Sequence, residues 1–457
     1  MFDARKVAQG RRDASSCQVS SLAGPGICSS IHEAPQQELQ STMRAESEKF
    51  DVIISGAGNS GLALAIALGQ AFAGNIRVAV VGSDPRRQQA AETSRAFALS
   101  AASKSLLEAL DVWSRIEPEA QPVLRIELTD SPLEAGVRPV LLTYDNKTSA
   151  GEPASYIVPA SALFAALSAA VESEPNAELF RDRNVIRFLG REAAAHVTLD
   201  DEQSLSASLV VAADGLTSAT RESADIGTIG WRHRQTGIVV TVEHEKPHDG
   251  CAVQHFLPAG PFAILPLVGN RSCITWSEDE AEAERVMAMA DDDFLDEVDQ
   301  RFGGKLGELR LAGSRQSFAL TTQLARRYVE QRFALLGDAA HNVHPIAGQG
   351  LNLALRDVAA LTECIADGAR VGLDIGDMTM LERYEKWRRF DATLSAGTYD
   401  AINRLFAVDW PLLRSVREAG LGLVDQMPGI KGLLVSEAAG LTGELPMLLR
   451  GETVRAS

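Results

Sequence analysis

Cysteine is scarce in this chain, and where it occurs it is not patterned. Five cysteines (Cys17, Cys28, Cys251, Cys273 and Cys364) are scattered over 457 residues, an odd number with no Cys-x-x-Cys pair. That argues against a disulfide framework and a zinc site, and fits a reducing cytosol. Positive charge is also short: 44 Lys and Arg against 61 Asp and Glu leave a formal net charge of -17. A general nucleic-acid binder needs a basic face for phosphates, so that class is set aside. An unbroken apolar span is missing as well. The one uncharged run of membrane-spanning length, Val52 to Ile76, is interrupted by Gly56, Asn59, Ser60, Gly61 and Gln70. It reads better as strand, loop and helix. No internal repeat is visible.

What is present describes a large globular chain. A hydrophobic content of 45% and a charged content of 23% are ordinary for a folded protein, and the length suggests two domains. Residues 1–48 stand apart. They are polar, rich in Ser and Gly, and lack sustained periodicity, so a disordered tail without function is expected. A transit peptide and a later start at Met43 are the alternatives.

The folded chain is expected to begin at "FDVIISGAGNSGLALAIALGQAF". Val52-Ile53-Ile54 reads as a buried strand, the Ala/Leu-rich stretch from Gly61 as a helix, and "IRVAVVG" as the second strand of a βαβ unit. "SLVVAADG" and "RFALLGD" are two more buried strands far along the chain. Between Trp231 and Phe318 the pattern becomes strand-rich, interrupted by one acidic helix, "EDEAEAERVMAMADDDFLDEVDQRF", whose charges form a solvated face. The fold class is therefore α/β: a Rossmann-like domain (residues 49–120, 150–228 and 319–400) interrupted by a mostly antiparallel sheet domain (121–149 and 229–318). A C-terminal helical segment follows (401–457). Sequence-distant segments must rejoin one sheet.

Gly56-x-Gly58-x-x-Gly61 lies between a strand and a helix. Glycines there permit the tight turn, the close approach of backbone to a pyrophosphate, and close helix packing. The helix N-terminus offers free N–H groups and positive dipole to the phosphates. The acidic residue expected for ribose hydroxyls at the end of the second strand is replaced by Gly82. Ser83 or Asp84 could substitute, or the contact could be lost. Asp214-Gly215 also ends a strand, and could be a plain turn. "FALLGDAAHNVHPIAGQGLNLALRD" is more specific. Gly337-Asp338 places a carboxylate at a strand tip, where it can accept hydrogen bonds from a ribityl chain. The Gly348-Gln349-Gly350 turn exposes N–H groups at a helix start, suited to negative charge on a reduced flavin. Together with Arg95 and Asp214, these features occur in the order needed for one FAD.

On these residues the chain resembles the FAD-dependent aromatic hydroxylases of the para-hydroxybenzoate hydroxylase type, and more closely the ubiquinone-biosynthesis hydroxylases. "HPIAGQGLNLALRD" is similar to that subgroup's signature, with Ala354 where Gly is usual. "SRAFALS", "YIVPASALFAAL", "FLPAGPFAILPL" and "FALTTQLARRYVEQRFALLGDAAH" carry the resemblance across residues 50–410. The acid-Asn pair usual after the valine of "YIVPA" is missing. The resemblance implies that Gly56, Gly58 and Gly61 cradle the FAD pyrophosphate. It implies that Arg95 contacts the phosphates or ribityl chain, and that Asp214 lies near the pyrophosphate and the nicotinamide donor. Asp338 would bind the ribityl hydroxyls, and Pro345 through Gly350 would line the isoalloxazine ring. It further implies reduction by NADH or NADPH, capture of O2 as a flavin C4a-hydroperoxide, and hydroxylation of a prenylated phenol.

His341 and His344 form an H-x-x-H pair without the Glu of a metalloprotease, so no metal is expected. Each is a candidate acid or base. The apolar C-terminal stretch "AINRLFAVDWPLLRSVREAGLGLVDQMPGIKGLLVSEAAGL" reads as packing helix, lining for a polyprenyl tail, or membrane-facing surface. The expected setting is cytoplasmic, with contact at the inner face of the membrane and with other quinone-biosynthesis proteins left open. Two further functions stay in view: a hydroxylase of a soluble aromatic compound, and a catalytically silent flavin-binding subunit.

Overall fold

A computed structural model describes residues 48–84, 94–130, 139–407, 417 and 426–456. Most of the expected N-terminal tail and much of the apolar stretch after residue 407 lie outside the described residues. Strand β1 (Glu48–Ser55) begins four residues before the apolar run and buries Val52, Ile53 and Ile54 completely. Helix α1 (Asn59–Ala71) buries ten of its residues, as its Ala/Leu composition requires. Strand β2 (Val78–Gly82) is buried throughout. Buried on both faces, such strands carry continuous Val/Ile runs rather than alternation. The Val52–Ile76 run is thus strand, loop and helix.

Strand β3 (Ser204–Ala212) pairs parallel to β1, and Phe333–Leu335 pairs parallel to β3. On the other side of β1, β2 and Ala177–Arg181 continue the parallel order. Segments about 280 residues apart in sequence, β1 and Phe333–Leu335, therefore meet in one sheet, with only β3 between them.

The second sheet is built around a 17-residue strand, β4 (Thr228–His244). Across it lie His341–Asn342, Gln316–Ala325, β4, Arg271–Asp279, Gly260–Leu267, Cys251–Leu257, Arg125–Asp130 and Leu142–Asp145. All described pairs in this order are antiparallel except Cys251–Leu257 against Arg125–Asp130. One face, with Ile238, Val240, Ile274 and Trp276, packs on two acidic helices; the other, with Val239, Ala252, Leu267 and Cys273, faces Val123 and Ile157. The acidic stretch is two helices rather than one, Glu280–Met287 and Asp291–Phe302. Asp291, Asp292 and Asp293 occupy the first turn of the second, where carboxylates favour a helix start.

Two long helices close the chain's main body, α2 (Gly350–Arg370) and α3 (Met378–Ala407). Among the described residues no helix is long and apolar enough to cross a membrane. Cys251, Cys273 and Cys364 are buried free thiols.

Candidate functional site

The glycine loop is shaped by how closely the backbone passes itself. Gly56 has φ +120°, and a side chain there would strike Ala213 and come within 2.8 Å of the Asp214 nitrogen. A side chain on Gly61 would run into the Gly56 carbonyl oxygen. Gly58 differs: nothing lies within 4 Å of where its side chain would be. Helix α1 starts there with no side-chain cap and no acidic residue in its first turn. Helix α2 repeats the arrangement. It has no side-chain cap and no first-turn acid, and Gly350 faces open space. Two bare helix N-termini, each fronted by an open glycine, leave free N–H groups of the kind that can hold an anion.

The Gly337-Asp338 turn lies against the first of them. A side chain on Gly337, at φ +61°, would sit 3.3 Å from Ser60 Oγ and 3.2 Å from Ala354 Cβ. Asp338 is exposed to solvent, yet protein crowds its carboxyl enough that desolvation raises its pKa above the usual range. Arg95 is near enough to oppose that rise, and its guanidinium lies over the Phe97 ring at 4.9 Å. Gly348, at φ +62°, faces Ala98 of the neighbouring strand, with 3.4 Å between Ala98 Cβ and a side chain placed there. Pro345–Ala347 forms a single 3-10 turn just before it.

Asp357 bolts this turn in place from below. Its buried carboxylate accepts the Gly337 N–H at 3.0 Å, His341 Nε2–H at 2.6 Å and Arg388 Nε–H at 2.7 Å. His341 and Arg388, acting together against desolvation, hold its pKa below the usual range. His341 is therefore a buried partner of Asp357. Tyr384 of α3 donates to the Leu335 carbonyl at 2.8 Å, and Arg221 donates to the Ala339 carbonyl at 3.0 Å. Asn352 ties α2 to the strand before Ala101. It accepts from Ser100 N and Ser103 Oγ, and donates to the Ala98 carbonyl and to Gln349 Oε1.

Asp214 is placed beside the loop, but its carboxylate accepts from Ser218 Oγ, Thr220 N and Thr220 Oγ1, forming a local turn. Gly82 is also explained. A side chain there would lie 2.5 Å from Ala57 N, so the loop approaches too closely for the usual acid. Asp84 lies two residues on, 3.9 Å from Arg181.

His344 is buried elsewhere, toward the second sheet. Its Nδ1 accepts the Ile346 N–H at 3.2 Å, its Nε2 lies 3.3 Å from Gln235 Oε1, and burial lowers its pKa to about 4. It is neutral at ordinary pH. The His233 ring meets it edge-on at 4.8 Å. His341 and His344 thus belong to separate clusters, and among the described residues no group of His, Cys, Asp or Glu could hold a metal. Asp357, Arg388, Asn352 and Gln235 were not singled out by sequence reasoning. Asp357 and Asn352 lie inside the quoted motif, but nothing in its spacing reveals Arg388.

The bare helix starts, the open glycines and the Asp338 carboxylate fit the pyrophosphate, ribityl chain and ring of FAD. A family model described as an FAD binding domain matches residues 49–393. The chain is 41% identical to the ubiquinone hydroxylase UbiL of Rhodospirillum rubrum, over 88% of this chain and 92% of that one. It is 30% identical to the 3-demethoxyubiquinol 3-hydroxylase of Escherichia coli, over 86% and 98%. Among solved structures, p-nitrophenol 4-monooxygenase PnpA from Pseudomonas putida aligns with a TM-score of 0.71 and 18% identity, over 87% of this chain and 99% of that one. At that identity the likeness concerns the fold.

Proposed function

Because the chain belongs to the FAD-dependent ubiquinone-biosynthesis hydroxylases, we propose that it hydroxylates the aromatic ring of a prenylated phenol on the route to ubiquinone. The observation that carries this reading is the packing of the Gly337-Asp338 turn against Ser60 of α1 and Ala354 of α2, two helices that both start without a side-chain cap. The 41% identity to a ubiquinone hydroxylase supports the substrate class.

In this reading Gly56, Gly58 and Gly61, with the start of α1, hold the FAD pyrophosphate. Asp338 accepts from the ribityl hydroxyls, Arg95 neutralises charge beside it, and Asp214 shapes the loop. Pro345, Gly348, Gln349 and Gly350 line the flavin ring, where the start of α2 favours negative charge on the reduced form. Bound FAD supplies two-electron reduction by NADH or NADPH and activation of O2, so that one oxygen atom enters the ring and the other leaves as water. The polypeptide's part is to place the phenol carbon and keep bulk water out.

A lipid-tailed substrate must arrive from an apolar phase. Phe390 and Leu394, one helical turn apart on α3, are 74% and 58% exposed, and Leu433 on Pro428–Ala438 is 68% exposed. These side chains support contact with a membrane surface.

Mass spectrometry of quinone lipids from a strain lacking the gene tests the reading. Loss of ubiquinone with accumulation of a prenylphenol one oxygen short is expected. Normal ubiquinone, in a strain without a redundant hydroxylase, would refute it and point to soluble aromatic substrates.

A further inference from the structure

Strand β4 is deformed where it meets α3. Its pairing with Gln316–Ala325 jumps between Arg232 and Thr236, leaving His233, Arg234 and Gln235 in a bulge, with Arg234 at φ +56°. Bulges with a left-handed non-glycine residue are costly, and they re-aim side chains beside functional sites. Here the bulge brings Gln235 into the protein at 6% exposure.

The hydrogen bonds around Gln235 allow one assignment. Gln235 Nε2 lies 2.6 Å from the Ala259 carbonyl, so it donates there and Oε1 is left to accept. His344 Nδ1 accepts from Ile346 N, so the ring proton is on Nε2 and is given to Gln235 Oε1. Asn403 Nδ2 also donates to that oxygen, at 3.2 Å. The orientation of the Asn403 amide follows, because its oxygen cannot face another acceptor. Asn403 Oδ1 is then left buried and without a donor, on a residue only 5% exposed. A buried acceptor without a donor is destabilising unless a ligand completes it.

A stacked aromatic pair lies one helical turn away. Phe406, three residues beyond Asn403 and on the same face of α3, stacks on Phe256 with ring centroids 3.7 Å apart. Phe256 belongs to the strand that leads into the Ala259 turn held by Gln235.

We propose that this junction of β4 and α3 holds the ring of the phenolic substrate, with Asn403 Oδ1 accepting its hydroxyl proton and Phe256 as the stacking platform that Phe406 covers in the structure. Gln235 is a positioning residue, since it fixes the Asn403 amide. The inference rests on the phenol-hydroxylase reading above and adds which side chains choose the substrate.

The test uses FAD-loaded protein, a short-chain 2-prenylphenol and its methyl ether. Binding is followed by perturbation of the flavin absorbance, and turnover by product mass. Wild type is expected to bind the phenol about 10- to 100-fold more tightly than the ether, which has no proton to donate. Asn403→Leu is expected to lose that preference, and Asn403→Asp to keep an acceptor and part of it. Phe406→Ala is expected to tighten binding of both ligands by clearing the platform. A purely structural role for Asn403 would weaken phenol and ether alike. Equal phenol-over-ether preference in wild type and Asn403→Leu would overturn the inference while leaving the hydroxylase reading intact. A wild-type protein that neither binds nor oxygenates the phenol would overturn both.

Discussion

Replacing Arg388 with methionine tests how the Gly337-Asp338 turn is held. The guanidinium is 1% exposed, and it pairs with Asp357 at 2.7 Å and Asp391 at 2.6 Å. Methionine fills much of the same volume but leaves Asp357 with only His341 and the Gly337 N–H. Removing one partner from a buried pair costs about 3–5 kcal/mol, because a desolvated charge remains. Unfolding entropy of roughly 2.1 cal/mol/K per residue, applied to the compact unit Ser47–Ser457, gives about 0.9 kcal/mol/K. The midpoint should therefore fall by roughly 4–6 °C in calorimetry at pH 7. Asp357 titrates below its ordinary value, so its contribution is present above the unfolded pKa and is lost as pH falls through the folded one. In the variant the unpaired carboxylate takes up a proton more readily. The gap between the two proteins should then narrow toward pH 5. The FAD dissociation constant, read by flavin fluorescence, should rise at least several-fold as the Gly337 turn loses its brace. A midpoint within about 1 °C of wild type, with unchanged FAD affinity, would refute the reasoning.

Gly82→Glu installs the acid usual at that strand end, yet it should weaken FAD binding in the same titration, since the new side chain begins 2.5 Å from Ala57 N. Tighter binding would show that the loop yields. Gly61→Ala should abolish FAD retention on gel filtration, because its methyl group would collide with the Gly56 carbonyl. His344 has a pKa of about 4 against an ordinary value near 6.5. The unfolded chain binds that proton first, so the stability it contributes is complete above about pH 6.5 and declines toward pH 4. Denaturant titrations of wild type and His344→Gln should show the wild type losing stability more steeply across that window, and parallel curves would exclude it.

The local geometry was legible because it obeys local rules. The glycine loop must turn between strand and helix wherever it occurs, and Gly337-Asp338 follows a buried run that has nowhere to go but the sheet. The order of those segments along the chain was enough to join them. The supporting contacts were hidden because they depend on how helices pack. Arg388 reaches Asp357 from 31 residues away, and His344 reaches Gln235 across 109. No periodicity encodes either pairing. The acidic stretch read as one helix because its composition is uniform, and it broke where Asp291–Asp293 begin a new N-terminus.

Helix α3 is a single rod carrying two sets of contacts. Tyr384 and Arg388 engage Leu335 and Asp357, which flank the Gly337-Asp338 turn, near one end, and Asn403 and Phe406 engage the second sheet near the other. From Arg388 to Asn403 the axis advances about 22 Å, and each residue turns it by roughly 100°. The two ends are therefore locked in phase. A substitution between them alters one side chain, whereas inserting or deleting one residue rotates everything beyond it by more than a quarter-turn. Both ends could not then meet their partners. The residue count across this stretch is under stronger constraint than the identity of any exposed residue within it.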